Sequence, residues 1–190
     1  MKKLCHSFIS FIVAMLFLTA CSVKSPKMST GVTGIREDAD FGNVEVIPLN
    51  LQVDYKADDF RAQIIKSLKI MSERDGPYLI HCIEGKDRTG FLCALLECLS
   101  GASYDEIAAD YMESYKNLYG IDRASDPEKY DTILGNNLVP MLRFMTGSDE
   151  NADITTVDRG SGVEAYLLGG GMTEEEIGAL KEKICKGSGQ

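Results

Sequence analysis

The residues able to do chemistry are concentrated in one stretch, His81-Cys82-Ile83-Glu84-Gly85-Lys86-Asp87-Arg88-Thr89-Gly90. A short apolar run at 78–82 precedes it and a helical pattern from Arg88 follows, so it reads as a loop between a strand and a helix. The amides of such a loop, from Ile83, Glu84, Gly85, Lys86, Asp87 and Arg88, can curl around an anion at the helix N-terminus. The peptide dipoles favour negative charge there as well. Gly85 permits the backbone conformation that a tight cradle needs. Arg88, six residues after Cys82, can fold back and hold two oxygens of a phosphate. The same positive surroundings lower the pKa of Cys82, and the thiolate is the nucleophilic form of cysteine. Thr89 offers a hydroxyl to that thiolate, and His81 is read as positioning the loop by hydrogen bonding. The bland alternative is a buried structural cysteine with an arginine nearby by chance.

Composition narrows the chemistry further. The chain has 190 residues, no Trp, two His (His6 and His81) and a formal net charge of −9. That length suits one domain with a real core. With a single histidine outside the first segment, multi-histidine metal sites are disfavoured, and His81 is the only histidine left to serve a triad. An acidic surface does not favour broad nucleic-acid binding, because phosphate backbones recruit basic faces. The six cysteines include no C-x-x-C pair, which makes zinc and thioredoxin-like readings weak. Cys93 and Cys98 sit in an apolar helical run as small core residues.

The elements that must position the loop follow from pattern. Residues 44–51 read as a strand, with Pro48 suggesting an edge or a bend. Phe60, Ile64, Leu68 and Met71 recur at helical spacing across 58–74, and Asp75-Gly76-Pro77 ends that helix. Residues 78–82 read as a buried strand, and a second helix spans 88–99. Ser103-Tyr104-Asp105-Glu106 is a capping box opening a third helix. Asp126-Pro127 opens a fourth, running to 145 with a kink at Pro140. Residues 146–162 read as a loop, 163–168 as a short helix, and Thr173 caps a final helix to 185. The expected class is α/β, with a small central sheet and a helical C-terminal half.

The N-terminus reads as an address. Lys2 and Lys3 precede a thirteen-residue, almost wholly apolar run at 8–20, short for a bilayer span of roughly 20 residues but suited to a secretory signal. Without Lys2 and Lys3, 18 of the 20 basic residues remain against 29 acidic ones, a balance of −11. Leu18-Thr19-Ala20-Cys21 resembles a bacterial lipobox. The resemblance implies cleavage before Cys21 and lipidation of its thiol. It places the protein in the bacterial cell envelope, facing out of the cytoplasm and held to the membrane by lipid. Residues 1–20 are then the signal, 21–33 the lipidated cysteine and its tether, and 34–186 the catalytic domain.

The loop matches H-C-x5-R-[ST], and so resembles the cysteine-dependent protein tyrosine phosphatase superfamily. Its Gly85-Lys86-Asp87-Arg88-Thr89-Gly90 end looks most like the bacterial tyrosine and phosphoinositide phosphatase family, over roughly 34–185. The resemblance implies a protein-tyrosine-phosphatase-like fold and hydrolysis of phosphomonoesters through a phosphocysteine intermediate. Its substrates would be phosphotyrosine proteins or phosphoinositide-like molecules, and no cofactor or metal would be needed. It also implies an acid for the leaving oxygen. Asp54, 28 residues before Cys82, fits by position; Asp87, inside the loop, is the rival. Asp58 and Asp59 suit the next helix start instead. Family members usually carry a longer front section than precedes residue 44 here, with Gly34-Ile35-Arg36-Glu37-Asp38 as its expected remnant. A shortened front implies an exposed sheet edge, with homodimerisation or strand exchange as consequences. Two other readings stay open: a phosphate-binding module without turnover, and a sulfurtransferase or arsenate-reductase-like enzyme.

Overall fold

The computed structural model describes residues 47–75 and 78–186. Within them the chain forms α1 (Asp58–Glu73), α2 (Arg88–Ser100), α3 (Tyr104–Tyr119), α4 (Pro127–Ile133), a π-helical turn (Leu134–Leu138), α5 (Val139–Thr146), α6 (Arg159–Gly169) and α7 (Glu174–Lys186). The expected signal, the lipobox-like stretch at Cys21, the expected tether and the expected front remnant lie outside the described residues.

α2 is the axis of the assembly. Every residue from Thr89 to Leu99 is buried, because an all-round apolar helix is stable only when other elements cover it on every side. α3, α5, α6 and α7 pack against it, and α1 packs against α7. Phe91, Leu95 and Leu96 are at most 2% exposed, and each fully buried side chain of this kind contributes about 1.5–3 kcal/mol. Phe91 is also the hub of an aromatic cluster. Phe60 meets it edge-on at 4.9 Å between ring centroids, and Tyr55 stacks on it at 5.7 Å. Tyr55 in turn contacts Phe144 of α5 at 5.2 Å. The segment before α1 is thereby pinned across the start of α2.

Helix ends follow their local chemistry. Ser103 and Glu106 close the expected reciprocal capping box on α3, and Asp126 with Pro127 starts α4. Thr173 and Glu176 satisfy each other's amides before α7. The expected kink at Pro140 is a π-helical turn just upstream of it, a common accommodation of a helical irregularity. Asp158 caps α6, so the loop after α5 is shorter than its composition suggests. Asp58 and Asp59 do not cap α1: its N-cap is Ala57, with no side-chain hydrogen bond.

The expected α/β sheet is not there. Among the described residues no strand is formed. Residues 47–51 and 78–82 take no regular structure and make no ladder with each other, and Asn50 turns to a left-handed φ of 50°. Both spend polar groups elsewhere. The Leu51 carbonyl accepts from Arg88 Nη1 at 3.3 Å, and the Tyr78 hydroxyl donates to the carbonyls of Met71 (2.9 Å) and Arg74. A strand exists only through a partner's backbone, and apolar extended runs carry no record of which partner they have. The described residues accordingly form an all-helical packing joined by irregular connections.

Candidate active site

The loop from Cys82 to Asp87 enters α2 without a side-chain cap: Asp87 is the N-cap residue but its carboxylate bonds none of the first amides. The first turn holds no acidic residue. The N-terminus of α2 is therefore left positive and open to an anion. Gly85 has φ +76°, a left-handed conformation that lets the chain reverse over the sulfur. Its amide donates to Cys82 Sγ at 3.2 Å.

Burial pushes the Cys82 thiol up. The Thr89 hydroxyl and amide, with the amides of Gly85 and Glu84, outweigh burial and hold it below its ordinary value. Hydrogen bonds, rather than the charge of Arg88, are thus the named source of the lowering. Thr89 is 2% exposed. Its hydroxyl has no partner in ordinary hydrogen-bond geometry, so its approach to the sulfur is loose in the resting site. Contacts of that kind commonly tighten once the anion forms. Arg88 gives Nη1 to Leu51, while its Nε is buried with no partner. A buried guanidinium N–H without an acceptor is a donor in waiting, and a phosphate oxygen satisfies it.

Other loop residues are placed less as expected. His81 is exposed and makes no hydrogen bond among the described residues, so it does not tie the loop. Ile83 is 87% exposed. Lys86 Nζ lies 2.9 Å from Asp87 Oδ2 and 3.0 Å from Glu84 Oε2, above the ring of Tyr115. Burial works to lower the Lys86 pKa, but bonds to Asp87 and Glu84 hold the ammonium above its usual range. Its charge is spent within the loop. Both oxygens of Asp87 face Lys86, at 3.3 and 2.9 Å. Asp54 is exposed; its Oδ1 accepts from the Lys56 amide at 2.9 Å in a local turn. The Arg88–Leu51 bond and the Tyr55–Phe91 stack bring the segment carrying Asp54 to the mouth of the loop.

Sequence reasoning missed the groups behind the loop. Gly85 and Gly90 share a small cavity with Glu97, Asp110, Tyr111 and Ser114. The signal available was a lone acid, Glu97, inside an otherwise apolar helical run. Cys82, Cys93, Cys98 and Cys185 form no disulfide.

The family model described as "Tyrosine phosphatase family" matches residues 47–186. The chain belongs to the tyrosine phosphatase family. It is similar to a tyrosine-protein phosphatase of Nostoc commune, 32% identical over 123 residues, covering 61% of this chain and 42% of the relative. It also resembles a putative tyrosine-protein phosphatase of Cupriavidus necator, 53% identical over 90 residues (47% and 33%). A triple specificity protein phosphatase of Mycobacterium tuberculosis is 37% identical over 70 residues (35% and 25%). The chain thus spans less than half the length of these curated relatives. No solved structure matches it significantly.

Proposed function

We propose that the chain hydrolyses phosphomonoesters through a phosphocysteine intermediate on Cys82. The observation that carries this reading is the sulfur held below its ordinary pKa beside the partnerless, buried Nε of Arg88 at an uncapped helix N-terminus. Cys82 thiolate attacks phosphorus, the S–P bond forms, and the P–O bond to the leaving group breaks. The leaving oxygen takes its proton from an acid. Water then attacks phosphorus, the S–P bond breaks, and thiolate and inorganic phosphate are released. Arg88 and the loop amides hold the charge on the transferring group.

Asp54 is the acid this reading favours. Its segment is pinned at the mouth of the loop, whereas Asp87 must first break its pair with Lys86. Substrates are phosphotyrosine proteins or phosphoinositide-like molecules. One relative's name carries triple specificity, which supports a panel wider than phosphotyrosine. We also propose lipid anchoring at Cys21, on the strength of Leu18-Thr19-Ala20-Cys21 alone.

The experiment is a panel of phosphopeptides, phosphoinositides, inositol phosphates and aryl phosphates with leaving groups of graded basicity. It is run on wild type, Cys82→Ser, Asp54→Asn and Asp87→Asn. Asp54→Asn is expected to lose about 10²-fold on basic leaving groups and little on acidic ones. The same pattern in Asp87→Asn alone moves the role to Asp87. Oxyanion binding with no Cys82-dependent turnover would leave a binding module.

A further inference from the structure

The small cavity between α2 and α3 lies directly under the loop. Its volume is about 10 Å³, close to the least that admits one water molecule. Gly85 and Gly90 form its loop side, and Glu97, Asp110, Tyr111 and Ser114 face them. Tyr111 is 5% exposed, and its buried hydroxyl has no partner in ordinary hydrogen-bond geometry, making only a loose approach to Tyr115. Ser114 is 3% exposed and Glu97 6%. Buried phenols and carboxyls are almost always hydrogen-bonded. One water in this space meets the two to four polar partners such a molecule needs.

Among the described residues the cluster has no counter-ion. The titratable groups facing it are Cys93 of α2, Glu106, Glu113 and Tyr115 of α3, Cys82 and Asp87 of the loop, and Tyr55 before α1. Lysine, arginine and histidine are absent from that set. Burial, then Asp110 and Glu106, push the Glu97 carboxyl well above the usual range. Burial, then Glu113, push Asp110 up to about 7. Glu97 is buried and Asp110 half-buried, and two such carboxyls sharing a site without a cation do not both ionise readily.

We propose that this cavity is a one-water site through which Glu97, Asp110, Tyr111 and Ser114 brace the loop, and that protons held on the two acids keep its floor uncharged beneath a bound oxyanion. The proposal rests on the reading of the loop as an oxyanion site. The four are positioning residues, since none touches substrate. When Asp110 ionises, a negative charge appears behind Gly85 and opposes the anion in front of it.

The test uses the Cys82→Ser protein, so that the thiolate does not titrate, and inorganic sulfate, which stays a dianion between pH 6 and 8. Binding is followed by NMR titration. The sulfate dissociation constant is expected to rise roughly fivefold from pH 6 to 8, and the rise is expected to vanish in Asp110→Asn. Glu113→Gln, which removes a charge beside Asp110 on the surface of α3, is expected to move the rise to lower pH even if Asp110→Asn does not fold. Tyr111→Phe keeps the ring and removes the hydroxyl that holds the water. It is expected to weaken sulfate binding about twofold at every pH. His81→Gln, beside the nucleophile, is measured in parallel. A rise that survives Asp110→Asn and disappears in His81→Gln overturns the proposal, as does one unmoved by Glu113→Gln. Failure to bind sulfate at any pH overturns the reading of the loop itself, and the proposal with it.

Discussion

At Cys82 two effects of opposite sign meet, and the hydrogen bonds win. Burial disfavours the thiolate, yet donors from Thr89, Gly85 and Glu84 hold the pKa below its ordinary value. Because the Thr89 hydroxyl is the strongest of these donors, Thr89→Val, which keeps the shape and deletes the hydroxyl, is expected to raise the Cys82 pKa by about one unit. The measurement is the rate of iodoacetamide alkylation against pH. Its midpoint moves up in the variant, and an unmoved midpoint assigns the lowering to the backbone alone. The same residues were legible in the sequence: a cysteine and an arginine six apart, a glycine between them and a hydroxyl next to the arginine define an anion cradle by type and spacing. What spacing did not carry was where surface-seeking side chains turn. His81 faces solvent rather than the loop, and Lys86 is consumed by Glu84 and Asp87 instead of serving a ligand.

At the scale of elements, the loop is held by what packs against its two glycines and by the first turn of α2. A Cβ at Gly90 would stand 2.9 Å from Tyr111 Cε2, and that ring is buried in the core. Gly90→Ala is therefore expected to cost about 1–3 kcal/mol as Tyr111 is forced aside. Chemical denaturation measures it, and the loop's anion affinity should fall with it. Unchanged stability means that α2 and α3 slide apart freely at this point. The helices themselves were largely readable, because apolar spacing and caps are local signals: Ser103 with Glu106, Asp126 with Pro127, and Thr173 with Glu176 all stand where they were expected. The sheet was misread because its evidence is non-local. An apolar run such as 78–82 looks the same whether or not another backbone lies beside it, and among the described residues no ladder forms along it.

For the molecule as a whole, the balance of −9 counts Glu97 and Asp110 as ionised, although their surroundings hold protons on them. Asp110 keeps its proton in the folded state up to about pH 7, whereas in the unfolded chain a carboxyl loses it near its ordinary value. Between those two limits the folded state holds one more proton at Asp110, so the contribution of this carboxyl to stability falls as pH rises from about 4 to 7 and is flat above; Glu97, also pushed up, adds a fall of the same sign. Asp110→Asn is expected to remove the share of the slope that Asp110 contributes and to stabilise the protein at pH 8 by on the order of 2 kcal/mol. Thermal melts across pH 4–8 check the sign; a wild-type melting temperature that climbs over this range through Asp110 contradicts it. A −9 surface built around a loop whose sulfur and arginine await an anion also separates the molecule's charge from the site's. The most direct measurement of the central claim is rapid acid quench of turnover on an aryl phosphate, followed by locating the bound phosphate. The expected result is phosphate on the Cys82 sulfur during turnover, with loss of at least ~10³-fold in kcat for Cys82→Ser. Phosphate on another residue, or turnover untouched by Cys82→Ser, contradicts it.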